Sequence, residues 1–142
     1  MDLTLKPPER EHLGEIIVLL QTISEFIPAE GRLNDLWIQY SGQSDSSSVV
    51  ALADAMVVGF ASIFFATRIR GGKVGYIEDV AVHPDYRNLG IGRQLLNFLS
   101  QTARVEGCFK VSLRCSSENV GFYQNNGFNE SAVSLQKRLA SL

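Results

Sequence analysis

A strand-to-helix junction at residues 80–93 constrains the fold of this chain more than any other segment. An apolar strand that ends at Val82 leads into a turn with the pattern Arg-x-x-Gly-x-Gly, and an amphipathic helix follows. Glycines let a backbone approach an anion closely, and the amides of a helix N-terminus point toward it with the positive end of the helix dipole. The junction therefore predicts a pyrophosphate site, with Arg87 and Arg93 adding positive charge on either side.

Two familiar nucleotide-binding motifs do not fit this junction. A P-loop places Lys and then Ser or Thr directly after its last glycine, and neither follows Gly92. The dinucleotide fingerprint needs a third glycine where Leu95 stands, and an acidic residue about 20 residues further on, where the chain reads 109–111, Phe-Lys-Val. What remains is an anion site of another kind, or a glycine turn that begins an ordinary helix.

Hydrophobic periodicity along the chain predicts an α/β layout. Apolar residues at helical spacing predict helices over 10–26, from Leu33 to Gly42, from Ile91 to Gly107 and over 119–126. Apolar runs predict strands over 3–6, 49–53, 57–68, 73–82, 109–115 and 128–139, and the serine-rich stretch 41–48 is expected to be a solvated loop. The strand–helix–strand succession after Lys73 is a crossover unit, so strands 73–82 and 109–115 should be parallel neighbours within a mixed sheet.

The residues around the glycine turn also resemble a known family. The pattern Val-x-Val-x-Pro-x-x-Arg-x-x-Gly-x-Gly before a helix closely resembles the acetyl-CoA-binding motif of the GNAT acetyltransferase superfamily, and the stretch from Asn119 to Phe128 matches a second segment of that family. The resemblance implies the GNAT fold, in which a central mixed sheet flanked by helices has a splayed parallel strand pair that admits the pantetheine arm. The residues that it assigns to cofactor binding are Val80, Ala81, Val82, Arg87, Asn88, Leu89, Gly90, Ile91, Gly92, Arg93, Asn119 and Tyr123.

Tyr123 is the catalytic acid that the resemblance implies. In relatives the tyrosine hydroxyl lies beside the cofactor sulfur, and a phenol with a pKa near ~10 can protonate a departing thiolate whose thiol has a pKa near ~8.5. The alternative is that Tyr123 only packs in the core, as we expect for Phe122 and Phe128.

The acceptor amine must lose a proton before it attacks a thioester, and two acids precede the cofactor-binding part of the strand. Glu78 and Asp79 are adjacent, so without a bulge only one of them faces the cleft. We expect Glu78 to bind the substrate and to act as the base, directly or through water, because an acid here recurs in many relatives. The alternatives are a solvated or salt-bridged pair, and an amine of lowered pKa that needs only positioning. A covalent route through Cys115 is disfavoured because no histidine lies near it in sequence.

Within the superfamily, residues 75–138 look most like the glucosamine 6-phosphate N-acetyltransferases. Those enzymes commonly carry an acidic residue just before the cysteine, where this chain has Arg114. A cation here disfavours an amine nearby, or else pairs with an anionic part of the acceptor. The expected substrate-binding residues are Glu78, Asp79 and Arg114. An acetyltransferase for another amine (an aminoalkylphosphonate, amino acid, polyamine or protein amine) and a non-catalytic acyl-CoA-binding module remain alternatives.

Composition limits the remaining properties. The 142 residues, 45% of them hydrophobic and 20% charged, predict one globular domain over 1–142. The net charge of −2 and the absence of a basic run argue against a nucleic-acid partner. No segment reads as a membrane span or a secretory signal, so a cytoplasmic location is expected. Cys108 and Cys115 read as reduced, buried thiols with no metal site, and apolar alternation at the C-terminus allows the homodimer that relatives of the sugar-phosphate type form.

Overall fold

A computed structural model describes residues 2–141 and contains one mixed sheet of five strands. The strands lie in the order β1-β2-β3-β4-β5; successive pairs from β1 to β4 are antiparallel, and β5 runs parallel to β4. The strands are β1 Leu3–Lys6, β2 Ser46–Ala53, β3 Met56–Thr67, β4 Lys73–Val82 and β5 Cys108–Leu113. The helices are α1 Leu13–Leu20, α2 Leu33–Ser41, α3 Ile91–Val105 and α4 Val120–Gln124, with short 3-10 turns before α1, α2 and α4 and after β4. The predicted mixed sheet with flanking helices and a parallel β4–β5 pair is confirmed.

The two faces of the sheet are covered by different helices. The apolar stripe of α3, including Leu95 and Leu99, packs on one face against residues such as Ile63, and all three are fully buried. On the opposite face α1 places Ile16 and Leu19 in a second apolar cluster with residues of β2, β3 and β4. The two clusters also include Ile77 and Ala81 of β4, so apolar burial on both faces anchors this strand in the sheet.

The first strand of the β2–β3 hairpin begins at Ser46, earlier than the predicted strand over 49–53. Asp54 and Ala55 form its turn with positive φ angles of 49° and 71°. The predicted solvated loop over 41–48 is wrong at its end, since β2 starts at Ser46 and pairs with the end of β3. Ser48 lies opposite Ser62, and both are buried. Pairing with β3 overrides the low strand propensity of a serine run.

The first long helix ends sooner than predicted. The helix expected over 10–26 is a 3-10 turn followed by α1, which stops at Leu20. The Gln21 side chain donates to the carbonyls of Ile17 and Phe26 and accepts from the amide of Phe26, so it replaces backbone helix bonds with a turn. Ile23, which the periodicity placed on the buried face, is therefore 50% exposed.

The C-terminal prediction is wrong in a different way. A strand was expected over 128–139, but in the described part of the chain no strand follows β5. The side chains of Val133, Leu135 and Leu139 are 88%, 90% and 88% exposed. A strand needs a hydrogen-bonding neighbour, and this segment pairs with none of the five strands. None of the helices within residues 2–141 is long and apolar enough to cross a membrane.

Candidate active site

A cleft opens where β4 and β5 separate. The two strands are paired from Lys73 and Cys108 as far as Ile77 and Leu113, where β5 ends, while β4 continues to Val82. The edge of β4 that faced β5 therefore has no strand partner beyond Ile77. A cavity of about 1480 Å³ fills this wedge, lined by the end of β4, the turn before α3, the start of α3, the chain after β5, and α4.

One end of the cleft suits an anion. Gly90 has a φ of 83° and precedes α3, whose first intrahelical bond runs from the amide of Gln94 to the carbonyl of Gly90. The amides before Gln94 thus have no acceptor within the helix. A Cβ atom on Gly92 would lie 2.8 Å from Cζ of Phe122, so any larger residue here requires the Phe122 ring to move. Free amides at a helix N-terminus beside a glycine turn suit an anion, so the diphosphate site that the sequence predicts remains a prediction with a compatible geometry.

The two arginines of this end are tied to the protein. Arg87 Nε donates to the carbonyl of Val82 at 3.4 Å, and Arg93 Nε donates to Asn126 Oδ1 at 3.1 Å. Both side chains line the cleft, but these bonds hold the loop and α4 in place. Leu89, which the resemblance assigned to cofactor binding, is 55% exposed and is not among the residues that line the cleft.

Two predicted cofactor-binding residues, one just before α4 and one within it, line the cleft near the end of β5. Asn119 and Tyr123 both line it. Asn119 Nδ2 donates to Ser116 Oγ at 3.0 Å, which fixes its amide at the start of α4. The Tyr123 ring packs edge-to-face on Phe122 and Phe128 with centroids 5.0 and 5.8 Å apart.

Burial, and to a smaller degree the nearby Cys115, raises the pKa of the Tyr123 phenol. The hydroxyl therefore keeps its proton across the physiological range, as an acid toward a thiolate must.

Cys115 corrects one expectation from the sequence. Its thiol is exposed and lines the cleft, whereas both cysteines were expected to be buried; Cys108 is partly buried, and burial raises its pKa. No histidine is among the residues found to line the cleft within 2–141. Cys115 has no imidazole base beside it there, so its surroundings do not favour a nucleophile.

A β-bulge brings both acids of β4 to the cleft. Ser62 pairs with Glu78 and Phe60 pairs with Ala81, so Asp79 and Val80 together lie opposite one residue of β3. Asp79 takes a positive φ of 55° at this bulge. Glu78 and Asp79 both line the cleft, and partial burial of its carboxyl raises the pKa of Asp79. The sequence could place only one acid here because a bulge leaves no mark in the residue pattern.

Arg114 faces Glu78 across the wedge. Arg114 Nη2 lies 3.9 Å from Glu78 Oε1, and the two side chains are 60% and 43% exposed. The pair joins the chain just after β5 to the middle of β4, at the point where the strands part. The structure therefore brings together the three predicted substrate-binding residues, Glu78, Asp79 and Arg114.

Several contributors to the site carried no sequence signal. The turn after α1 reaches the cleft with residues 22–24, and the C-terminal segment reaches it with Ser134 and Gln136. On the α1 face, Ser62 pairs with Glu78 in the sheet and is hydrogen-bonded to the hydroxyl of Tyr40 from α2. These contacts join segments far apart in sequence, so no local motif predicts them.

Comparison with known proteins agrees with this geometry. The model of the acetyltransferase (GNAT) family matches residues 15–128. A glucosamine 6-phosphate N-acetyltransferase of Trypanosoma brucei brucei is 31% identical over 138 residues, which cover 90% of each chain.

Solved structures share the fold over almost the whole chain. The crystal structure of glucosamine-6-phosphate N-acetyltransferase from Arabidopsis thaliana superposes with a TM-score of 0.90 over 99% of this chain and 100% of that one, at 22% identity. A Trypanosoma brucei acetyltransferase structure superposes with a TM-score of 0.87 over 97% of this chain and 100% of its own, at 30% identity. The chain belongs to the GNAT acetyltransferase family and is an acetyl-CoA-dependent N-acetyltransferase.

Proposed function

We propose that this enzyme transfers an acetyl group from acetyl-CoA to the primary amine of an amino-sugar phosphate, with glucosamine 6-phosphate as the favoured acceptor. The observation that carries the proposal is the single wedge between β4 and β5, which has two carboxylates on one wall and the Tyr123 hydroxyl on the other. The name of the 31% identical trypanosomal relative supports this acceptor.

The donor would lie along the unpaired edge of β4 and end at α3. We assign the pantetheine arm to the main chains of Val80 and Val82 and the diphosphate to the amides from Gly90 to Arg93, with Asn119 bonded to the arm. Backbone groups dominate this assignment because Arg87 and Arg93 already bond to the protein. The wedge and the glycine turn support it.

The acceptor would enter at the acidic wall. Carboxylates attract an ammonium group, and Glu78 and Asp79 both line this part of the cleft. We assign Glu78 as the base, directly or through one water, because it lies on β4 beside the divergence point. Asp79 would orient the amine, since the bulge turns it into the same cavity.

Transfer would be direct. The neutral amine forms a bond to the acetyl carbon, and the bond from that carbon to sulfur breaks, with a backbone amide near Val80 stabilising the oxyanion. Glu78 takes the proton that the ammonium group loses before attack and releases it to solvent. The Tyr123 hydroxyl gives its proton to the departing thiolate, and the phenolate regains a proton from the nitrogen of the tetrahedral intermediate through solvent. Written in this way, the transfer uses no metal ion.

We further propose a homodimer in the cytoplasm. The exposed alternation of Val133, Leu135 and Leu139 on an unpaired segment supports association, because three large apolar side chains otherwise face water. Ser134 and Gln136 alternate with them and line the cleft, so the same segment reaches both a free surface and the site.

The test measures the thiol released from acetyl-CoA with glucosamine 6-phosphate, next to a panel of amino acids, polyamines and aminoalkylphosphonates. Turnover with the sugar phosphate at the highest kcat/KM is the expected result. Turnover with another amine and none with the sugar phosphate would refute the acceptor. A non-catalytic module would bind coenzyme A while Tyr123→Phe and Glu78→Gln behave as the wild-type protein does in every acetylation assay.

A further inference from the structure

An ion pair crosses the wedge at the acceptor end of the cleft. Three ion pairs occur within the described residues, and the pairs Lys6–Glu9 and Lys73–Glu106 lie outside the cleft. Arg114 with Glu78 is the third, and its two charged groups stand on the separated walls formed by β4 and the chain after β5.

The charges around this pair are unequal. Glu78, Asp79 and Glu118 line the cleft with negative charge, whereas Arg114 brings a cation beside Glu78. The other arginines of the cleft are at the opposite end and bond to the protein. Arg114 is held only loosely, since its contact with Glu78 is 3.9 Å long and both side chains are substantially exposed. Such an ion pair adds little stability and exchanges its partner readily.

We propose that Arg114 determines acceptor specificity by binding an anionic group of the acceptor in exchange for Glu78. A phosphate or carboxylate accepts two parallel, short hydrogen bonds from a guanidinium, which is a stronger interaction than the long contact with Glu78. The exchange releases Glu78 to the amine of the same acceptor. The enzyme therefore selects molecules that carry both an amine and an anionic group, because Glu78 and Arg114 lie within 3.9 Å of each other. This inference rests on the proposed amine-acetylating function and adds Arg114 as the residue that binds the anionic group of the acceptor.

An acceptor without an anion meets the opposite situation. Its ammonium group must compete with Arg114 for Glu78, and it lies close to a cation that it cannot neutralise. Neutral analogues should thus bind weakly to the wild-type enzyme, and removal of the Arg114 charge should help them.

The experiment compares acceptor pairs that differ only in the anion: glucosamine 6-phosphate with glucosamine, and phosphoethanolamine with ethanolamine. Arg114→Gln should lower kcat/KM for the phosphorylated member of a pair about ten-fold to a hundred-fold, the loss expected for hydrogen bonds to a charged group. It should raise kcat/KM for the unphosphorylated member by a few-fold at most, and that gain should vanish when Glu78→Gln is added. Arg114→Lys should recover part of the loss because it keeps the charge without the planar fork.

The matched control is Arg104→Gln, which removes the same charge from an exposed position of α3 outside the cleft. Arg104→Gln should leave kcat/KM unchanged for both members of a pair. In Arg114→Gln the KM for acetyl-CoA should stay constant. An equal loss on both members would overturn the proposal for Arg114. If Arg114→Gln turns over glucosamine 6-phosphate and the ratio of kcat/KM between the phosphorylated and unphosphorylated acceptors is unchanged, the proposal for Arg114 is overturned. The proposed function would then still stand. If the ratio of kcat/KM changes only for phosphoethanolamine and ethanolamine, the result would support the proposed role of Arg114 and overturn the sugar phosphate as the acceptor.

Discussion

Replacing Gly92 by alanine tests whether the position of Tyr123, the proposed catalytic acid, depends on the packing between the glycine turn and α4. The new Cβ would lie 2.8 Å from Cζ and 3.3 Å from Cε1 of Phe122, whereas ordinary van der Waals contact begins at 3.4 Å. The Phe122 ring must retreat by at least about 0.6 Å, and its 40% exposure leaves it room to do so. The ring packs on Tyr123 with centroids 5.0 Å apart, so we expect the displacement to shift the Tyr123 ring and its hydroxyl.

The expected effect of Gly92→Ala is on turnover and much less on stability. A misplacement of about 1 Å in an active site can cost ~100-fold in rate, so a partly transmitted shift should lower kcat by roughly ten-fold. The fold itself should lose little, because alanine inside a helix gains about 0.5–1 kcal/mol over glycine and offsets the lost packing. Thiol release from acetyl-CoA measures kcat, and thermal unfolding measures stability, for which we expect a change in Tm of less than about 4 °C.

The double variant Gly92→Ala/Phe122→Leu tests whether the contact with Phe122 causes the loss of kcat, because leucine lacks the ring atoms that the alanine methyl group would contact. It should recover most of the kcat lost by Gly92→Ala relative to Phe122→Leu alone. Gly90→Ala is the matched comparison, since its Cβ meets nothing within 4 Å but its φ is +83°. Backbone strain should destabilise that variant by about 1–2 kcal/mol. A Gly92→Ala enzyme with normal kcat, or one that Phe122→Leu does not rescue, would refute the proposed coupling.

Three further perturbations test other parts of the site. Tyr123→Phe should lower kcat about 100-fold, and Tyr76→Phe, which removes a hydroxyl bonded to Arg68 outside the cleft, should not. Since the pKa of Tyr123 is raised, wild-type kcat should show no loss from its ionisation below about pH 10; a decline traced to Tyr123 at lower pH would contradict its assigned role. Burial raises the pKa of Asp79, so its charged form opposes folding, and this cost is absent below the ordinary Asp pKa and grows as pH rises through the raised value. Urea unfolding of Asp79→Asn should therefore show a gain in midpoint at pH 7 that shrinks toward pH 4, and a gain independent of pH would exclude this cause. Leu135→Glu, at a side chain 90% exposed in the single chain, should yield a monomer by light scattering, and an unchanged mass would place the dimer contact elsewhere.

Local patterns were sufficient for most of the elements that build the cleft. The turn around Gly90 could be predicted because a glycine just before a helical pattern is typical of a positive φ at the helix start. The apolar stripe of α3 could be predicted from the helical spacing of its apolar residues. The bounds of β4 and the parallel neighbour after α3 followed from an apolar run and from the crossover rule. The candidate acid Tyr123 came from its place in a family motif, and the structure then located it at the cleft wall.

The sequence by itself determined the strand, glycine turn and helix that form the proposed anion site, because those features depend on backbone angles and side-chain periods within a few neighbouring residues. Tertiary structure alone decided that the bulge turns Asp79 into the cleft beside Glu78 and that Arg114 meets Glu78 across the wedge. It also decided that α1 stops at Leu20 and that no strand forms after residue 127 within the described chain. Each of these outcomes depends on a partner from a distant segment, and only the folded chain sets the distance between such partners.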